Sequence, residues 1–150
     1  MKCDDVSFQH ILPRLNQTDL KFLYDVNTET RKLIKRSSRA DDLKKVFEVK
    51  EMSSISTLEV AWENKSLWPR WWRERDFCWE VAYTNKLELL KWAREEKKCE
   101  WDYRTINVAA RQGNMEMVKY CVAKKCPVNE IACACAAYKG HLECLKYLRE

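Results

Sequence analysis

Glycine is almost missing from this chain: only Gly113 and Gly140 occur among 150 residues. Neither a glycine-rich phosphate loop nor the G-x-G-x-x-G dinucleotide fingerprint can be written with them. Histidine is equally scarce, and His10 and His141 lie too far apart in sequence to form an H-E-x-x-H metalloprotease pair. Charged residues interrupt every apolar run well short of the ~18 residues of a membrane span, and no stretch reads as a cleavable signal. The net charge of +5 is modest and spread almost evenly over the two halves, whereas a dedicated nucleic-acid binder needs a basic stripe. What remains is a chain that is 46% hydrophobic and able to bury one continuous core. It carries no enzyme signature and implies no cofactor.

The two glycines sit in near copies of one phrase, AARQGNMEMVKYCV and AAYKGHLECLKYLR. With Ala82, Ala110 and Ala137 as a common origin, at steps of 28 and 27 residues, whole columns agree. Leu87, Met115 and Leu142 share one, Leu90, Val118 and Leu145 another, and Trp92, Tyr120 and Tyr147 a third. In the glycine column the first copy has Asn85, the residue next most at home in the left-handed conformation. Each unit therefore reads as a short, alanine-bearing first helix (FCWEVAY, TINVAAR, IACACAAY), a turn, and an amphipathic second helix whose apolar stripe a neighbouring unit must cover. Glu88, Glu116 and Glu143, three residues before a lysine, read as solvated charges at the start of the second helices.

These segments resemble ankyrin repeats in their paired alanines, glycine turn and amphipathic second helix. The resemblance covers residues 77–150 as units 77–102, 103–129 and 130–150, the last of which stops in its second helix. The usual repeat is about 33 residues long, so the missing residues are expected to come from the β-turn finger, for which CEWD and CPVN stand in. The resemblance implies an all-α solenoid of helix-turn-helix repeats that binds a protein target on its concave face, with no small-molecule substrate. The residues it places on that face are Tyr83, Thr84, Arg111, Gln112, Tyr138 and Lys139. They vary between copies while the framework columns do not, and Tyr with Arg is an anchor-rich mixture. Neutral drift at exposed positions would look the same.

Eight cysteines raise the question of zinc or disulfides, above all the group Cys121, Cys126, Cys133, Cys135, His141 and Cys144. The columns argue against a metal. Cys133 aligns with Ile106 and Cys78, Cys135 with Val108, Cys144 with Met117 and Leu89, and Cys121 with Ala93 and Leu148, so cysteine stands where small hydrophobes stand. Cys99 and Cys126 recur in the turn and are expected to plug the gap between units. So many free thiols fit a reducing compartment, cytoplasm or nucleus.

The first 40 residues are organised differently. Ile11, Leu12, Leu15, Leu20, Leu23, Val26, Leu33 and Ile34 have the spacing of two or three short helices, capped at Thr18 or Asp19. This pattern resembles an F-box, without its leading Leu-Pro and with Pro13 where the first helix would run on, which should cut that helix short or kink it. The resemblance implies docking on a Skp-type adaptor of a cullin ubiquitin ligase through Ile11, Leu12, Leu15, Leu20 and Leu23. The alternative is that these helices only cap the solenoid.

Residues 41–76 read as a junction: a helix over Asp41–Val49, a capping-box pair Ser56 and Glu59 before LEVAWEN, and a tryptophan cluster, Trp62, Trp68, Trp71 and Trp72 with Trp79 just beyond, interleaved with Arg70, Arg73 and Arg75. The segment 55–76 can also be read as a degenerate first repeat. Arg with Trp can stack on nucleic-acid bases, but large aromatics more often glue a junction. The functional expectation is a non-enzymatic protein-interaction module, in sharper form the substrate-recruiting subunit of a ubiquitin ligase. A free-standing scaffold is the alternative and a nucleic-acid role a distant third.

Overall fold

The computed structural model describes residues 48–150 and, before them, 12–14, 20, 32, 36 and 37. The chain forms two compact units, Met1–Pro69 and Arg70–Glu150. The described residues are helical and include no strand.

Among the described residues of the first unit, the helix α1 (Ile55–Glu63) lies between 3-10 turns at Val49–Glu51 and Lys65–Leu67. Its cap is Ser54, two residues before the predicted one. The Ser54 Oγ accepts the Thr57 N–H at 3.3 Å while the Thr57 hydroxyl donates to the Ser54 carbonyl at 2.8 Å. Thr57 stands at the third helical position but donates to the cap's carbonyl instead of accepting its N–H, so the reciprocal bond that the spacing assigned to Glu59 is not made. Trp62 and Trp68 meet edge to face at 5.7 Å, the Trp68 indole N–H donates to the Ala61 carbonyl at 2.7 Å, and Lys65 lies 4.3 Å over Trp62. Among the described residues the cation over these rings is a lysine rather than one of the neighbouring arginines.

Pro13 stands in a three-residue 3-10 turn, Leu12–Arg14, and Leu20 is helical and fully buried. Ile11, Leu15 and Leu23 lie outside the described residues, as do 41–47 of the predicted helix 41–49.

The second unit contains three helix pairs: α2 (Glu74–Tyr83) with α3 (Leu87–Glu95), α4 (Tyr103–Gln112) with α5 (Met115–Ala123), and α6 (Glu130–Tyr138) with α7 (Leu142–Arg149). The first helices begin three or fewer residues before the sequence placed them, and at α2 and α4 polar side chains at the start satisfy free N–H groups. The Asp102 carboxylate accepts the Arg104 N–H at 2.9 Å, and Asp76 reaches back to the Arg73 N–H at 2.7 Å. The first helices form one layer, α2 on α4 and α4 on α6, and each second helix packs on its own first helix. Fully buried Ala109, Ala110, Ala132 and Ala136 allow that close approach.

The aligned columns form the core. Leu89, Met117 and Cys144 are buried in succession, as are Leu90 with Val118 and Ala93 with Cys121. Burying a side chain of the size of Phe77, Leu90 or Ile106 contributes about 1.5–3 kcal/mol each.

The turns obey the left-handed rule at all three copies, with φ of 59° at Asn85, 71° at Gly113 and 75° at Gly140. At Gly113 the turn closes with the Gly113 N–H on the Ala110 carbonyl (3.2 Å) and the Asn114 N–H on the Ala109 carbonyl (3.1 Å), the Schellman arrangement. Gly140 and His141 repeat it on Ala137 and Ala136. A second left-handed position, after the second helix, escapes the sequence reading. Lys98 and Lys125 have φ of 54° and 58°.

Each is followed by a turn cysteine whose thiol reaches back to the start of its own unit's first helix. The Cys99 Sγ donates to the Glu74 carbonyl at 2.8 Å and the Cys126 Sγ to the Asp102 carbonyl at 3.4 Å. Cys99 and Cys126 therefore close each unit on itself.

A candidate recognition groove

The turns also fix how one pair sits on the next. Asn114 caps α5, accepting the Met117 N–H at 3.0 Å, while its Nδ2 donates to the carbonyl and side-chain oxygens of Asn85 at 3.2 and 2.8 Å. His141, one unit later in the same column, lies 3.1 Å by its Nε2 from the Arg111 carbonyl. A carbonyl oxygen can only accept, so Nε2 carries the proton. The residue after each glycine is thus both a helix start and a staple to the preceding turn. Gln112 adds a third link, its Nε2 donating to the Tyr83 carbonyl at 3.1 Å.

Held in this register, the first helices enclose a groove of about 100 Å³ lined by Trp79, Tyr83, Arg104, Asn107, Val108, Arg111 and Cys135. That is well below the ~300–1,000 Å³ of a small-molecule pocket. Trp79 and Tyr83 meet edge to face at 5.6 Å, and the Arg104 guanidinium lies 5.0 Å over the Trp79 ring. Arg104 is pinned there by two carboxylates, with Nη2 2.7 Å from Asp76 and 2.8 Å from Asp102. Burial raises the Asp102 carboxyl, but the hydrogen bonds and charge of Arg104 outweigh it and hold the group below the ordinary aspartate range. The same bonds push Arg104 above its usual value. Its charge is satisfied inside the protein.

Arg111 differs. It is exposed at the groove, and among the described residues no carboxylate pairs with it. Asn107, between the two arginines on α4, is 9% exposed, and its side-chain oxygen has no hydrogen-bond partner among the described residues.

Of the residues predicted for the recognition face, Tyr83 and Arg111 line the groove. Thr84 and Gln112 are engaged in turn bonds: the Thr84 hydroxyl donates to the Val81 carbonyl at 2.7 Å and accepts the Lys86 N–H at 3.3 Å. Tyr138 is 83% exposed with Lys139 5.5 Å over its ring, and neither lines the groove. Trp79, Arg104, Asn107, Val108 and Cys135 were not read from the sequence. The signal was available, since Trp79 and Asn107 lie one helical turn before Tyr83 and Arg111 and Arg104 lies two turns before Arg111.

Cys135 occupies a core column yet is half-exposed and faces the groove, while Cys78, Cys121 and Cys144 are buried. The neighbouring thiol and burial together push Cys78 and Cys121 well above the ordinary thiol range, through Cys99 and Cys126 respectively. Among the described residues no group of three or more His, Cys, Asp or Glu side chains is placed to hold a metal ion, and no helix is long and apolar enough to cross a membrane.

Comparison of the chain with curated proteins and with solved structures yields no match. Residues 106–149 match the family described as ankyrin repeats (many copies), and over that span the helix pairs are similar to ankyrin repeats.

Proposed function

We propose that this protein is a non-enzymatic interaction module whose second unit recognises a protein target through the groove on its first helices. Ankyrin repeats bind protein partners, and the match at 106–149 supports the general reading. The observation that carries the specific one is the composition of the groove. Three successive first helices contribute Trp79, Tyr83, Arg104, Arg111 and Cys135 to one concavity, and aromatic side chains with arginine are the usual anchors of protein interfaces. The staples through Asn114, His141 and Gln112 hold that wall in register before a partner arrives, which lowers the cost of binding.

Selection of random-sequence displayed peptides against the immobilised protein tests the proposal. Binders should be enriched, and Tyr83→Ala, with unchanged thermal stability, should release most of them. Enrichment that Tyr83→Ala and Arg111→Ala both leave intact would move recognition elsewhere.

The narrower role, recruitment of the target to a cullin ubiquitin ligase, is a further proposal carried by the F-box resemblance alone. It expects a purified Skp-type adaptor to co-elute with the full chain, and separate elution of two folded proteins would end it.

A further inference from the structure

We propose, resting on the protein-recognition reading above, that the groove selects an acidic segment of its target: a carboxylate side chain against Arg111 with a neighbouring N–H donor on the Asn107 side-chain oxygen. Two independent observations converge. The first is charge. Of the two arginines in the groove, Arg104 is neutralised by Asp76 and Asp102, whereas Arg111 has no carboxylate partner among the described residues. A planar guanidinium presenting paired N–H donors is matched by a carboxylate, while a cationic segment would meet uncompensated repulsion.

The second is the orphaned amide. Asn107 is 9% exposed, and its oxygen lies buried without a partner on the same helix, one turn before Arg111. An unmatched buried acceptor is unfavourable in the free protein, so a ligand that brings an N–H to it gains more than the same bond would give on the surface. A backbone amide beside the acidic residue is the simplest donor at that spacing.

The aromatic wall of Trp79 and Tyr83 supports the same occupant. Arg104 already covers one face of Trp79, so the cation-binding role of that ring is filled from within. The groove volume of about 100 Å³ suits one short side chain and its backbone rather than a folded element.

The experiment is a comparison of enriched peptide pools from a random library, selected in parallel on the wild type, Arg111→Glu and Asn107→Leu. Wild-type pools should be enriched in Asp or Glu at one position, and Arg111→Glu pools should carry Lys or Arg there instead. A synthetic peptide from the wild-type pool should bind Arg111→Glu about a hundredfold and Asn107→Leu about tenfold more weakly, effects of the size expected for charged and neutral hydrogen bonds. Asn107→Leu removes an unpaired polar group, so its melting temperature should be unchanged or higher, separating lost binding from lost folding.

Wild-type pools with no acidic preference, or acidic pools indifferent to Arg111→Glu, would overturn the inference while leaving protein recognition intact. Failure of the wild type to enrich any peptide would instead count against the recognition reading itself.

Discussion

Helices α4 and α6 are written in the same columns and end in the same glycine turn, yet they are buried to different depths. In α4 every residue from Thr105 to Ala110 is buried, whereas in α6 only Ala132 and Ala136 are. The difference lies in their neighbours. α4 packs against α2 on one side and α6 on the other, while α6 has its first-helix contact with α4. A repeat column therefore specifies which way a residue points, and the stack decides how much water it loses. Cys133 and Cys135 show this: their counterparts Ile106 and Val108 are buried, and they themselves are half-exposed.

The largest expected effect breaks the comparison at Ile106 and Cys133. Ile106→Ala should cost about 2–5 kcal/mol, the usual range for a fully buried aliphatic side chain, and Cys133→Ala clearly less, as read by urea unfolding. Equal costs would show that column and not neighbour sets the energetics.

The glycines come next. Both occupy positive φ, which costs an L-residue about 1–2 kcal/mol. A Cβ on Gly113 would in addition lie 2.5 Å from the His141 ring, whereas one on Gly140 meets nothing within 4 Å. Gly113→Ala should therefore be the more destabilising of the two, and His141→Ala in the same molecule should recover the excess. A double-mutant cycle reads that coupling directly.

Smaller again is the helix cap. Asp102→Ala should cost about 1–2 kcal/mol, while Asn129, which caps α6 without a side-chain bond, should tolerate alanine. The Asp102 carboxyl is held below its ordinary value in the folded protein, so its stabilisation is complete above the unfolded pKa of about 3.9. It is lost as pH falls through the folded value. The acid limb of a stability-against-pH curve should be shallower in Asp102→Ala than in the wild type.

The smallest effect is a gain. Lys125→Gly relieves a lysine held at φ 58° and should stabilise by about 0.5–1 kcal/mol, measurable as a raised melting temperature.

Much of the second unit was legible in the sequence because its information is periodic. The three turns, including Asn85 in the glycine column, and the apolar stripe of each second helix follow from spacing alone. The left-handed positions at Lys98 and Lys125 were not legible, since lysine carries no conformational signature of that kind. Nor were the bonds of Cys99 and Cys126 to the starts of their own units, which depend on how each chain segment folds back. The groove was half legible: the variable residues just before each turn gave Tyr83 and Arg111. The face they belong to extends back along the helices to Trp79, Asn107 and Arg104, where framework and groove-lining positions share neighbouring columns.

Recognition by the first helices, as proposed, is the point on which the other readings depend. An amide-resolved NMR titration of the protein with a selected peptide tests it most directly. Shifts should concentrate on the Trp79 indole N–H, the Asn107 side-chain amide and the backbone around Arg111, with little change along α3, α5 and α7. Shifts confined to those second helices, with the Trp79 and Asn107 signals unmoved at saturation, would contradict it.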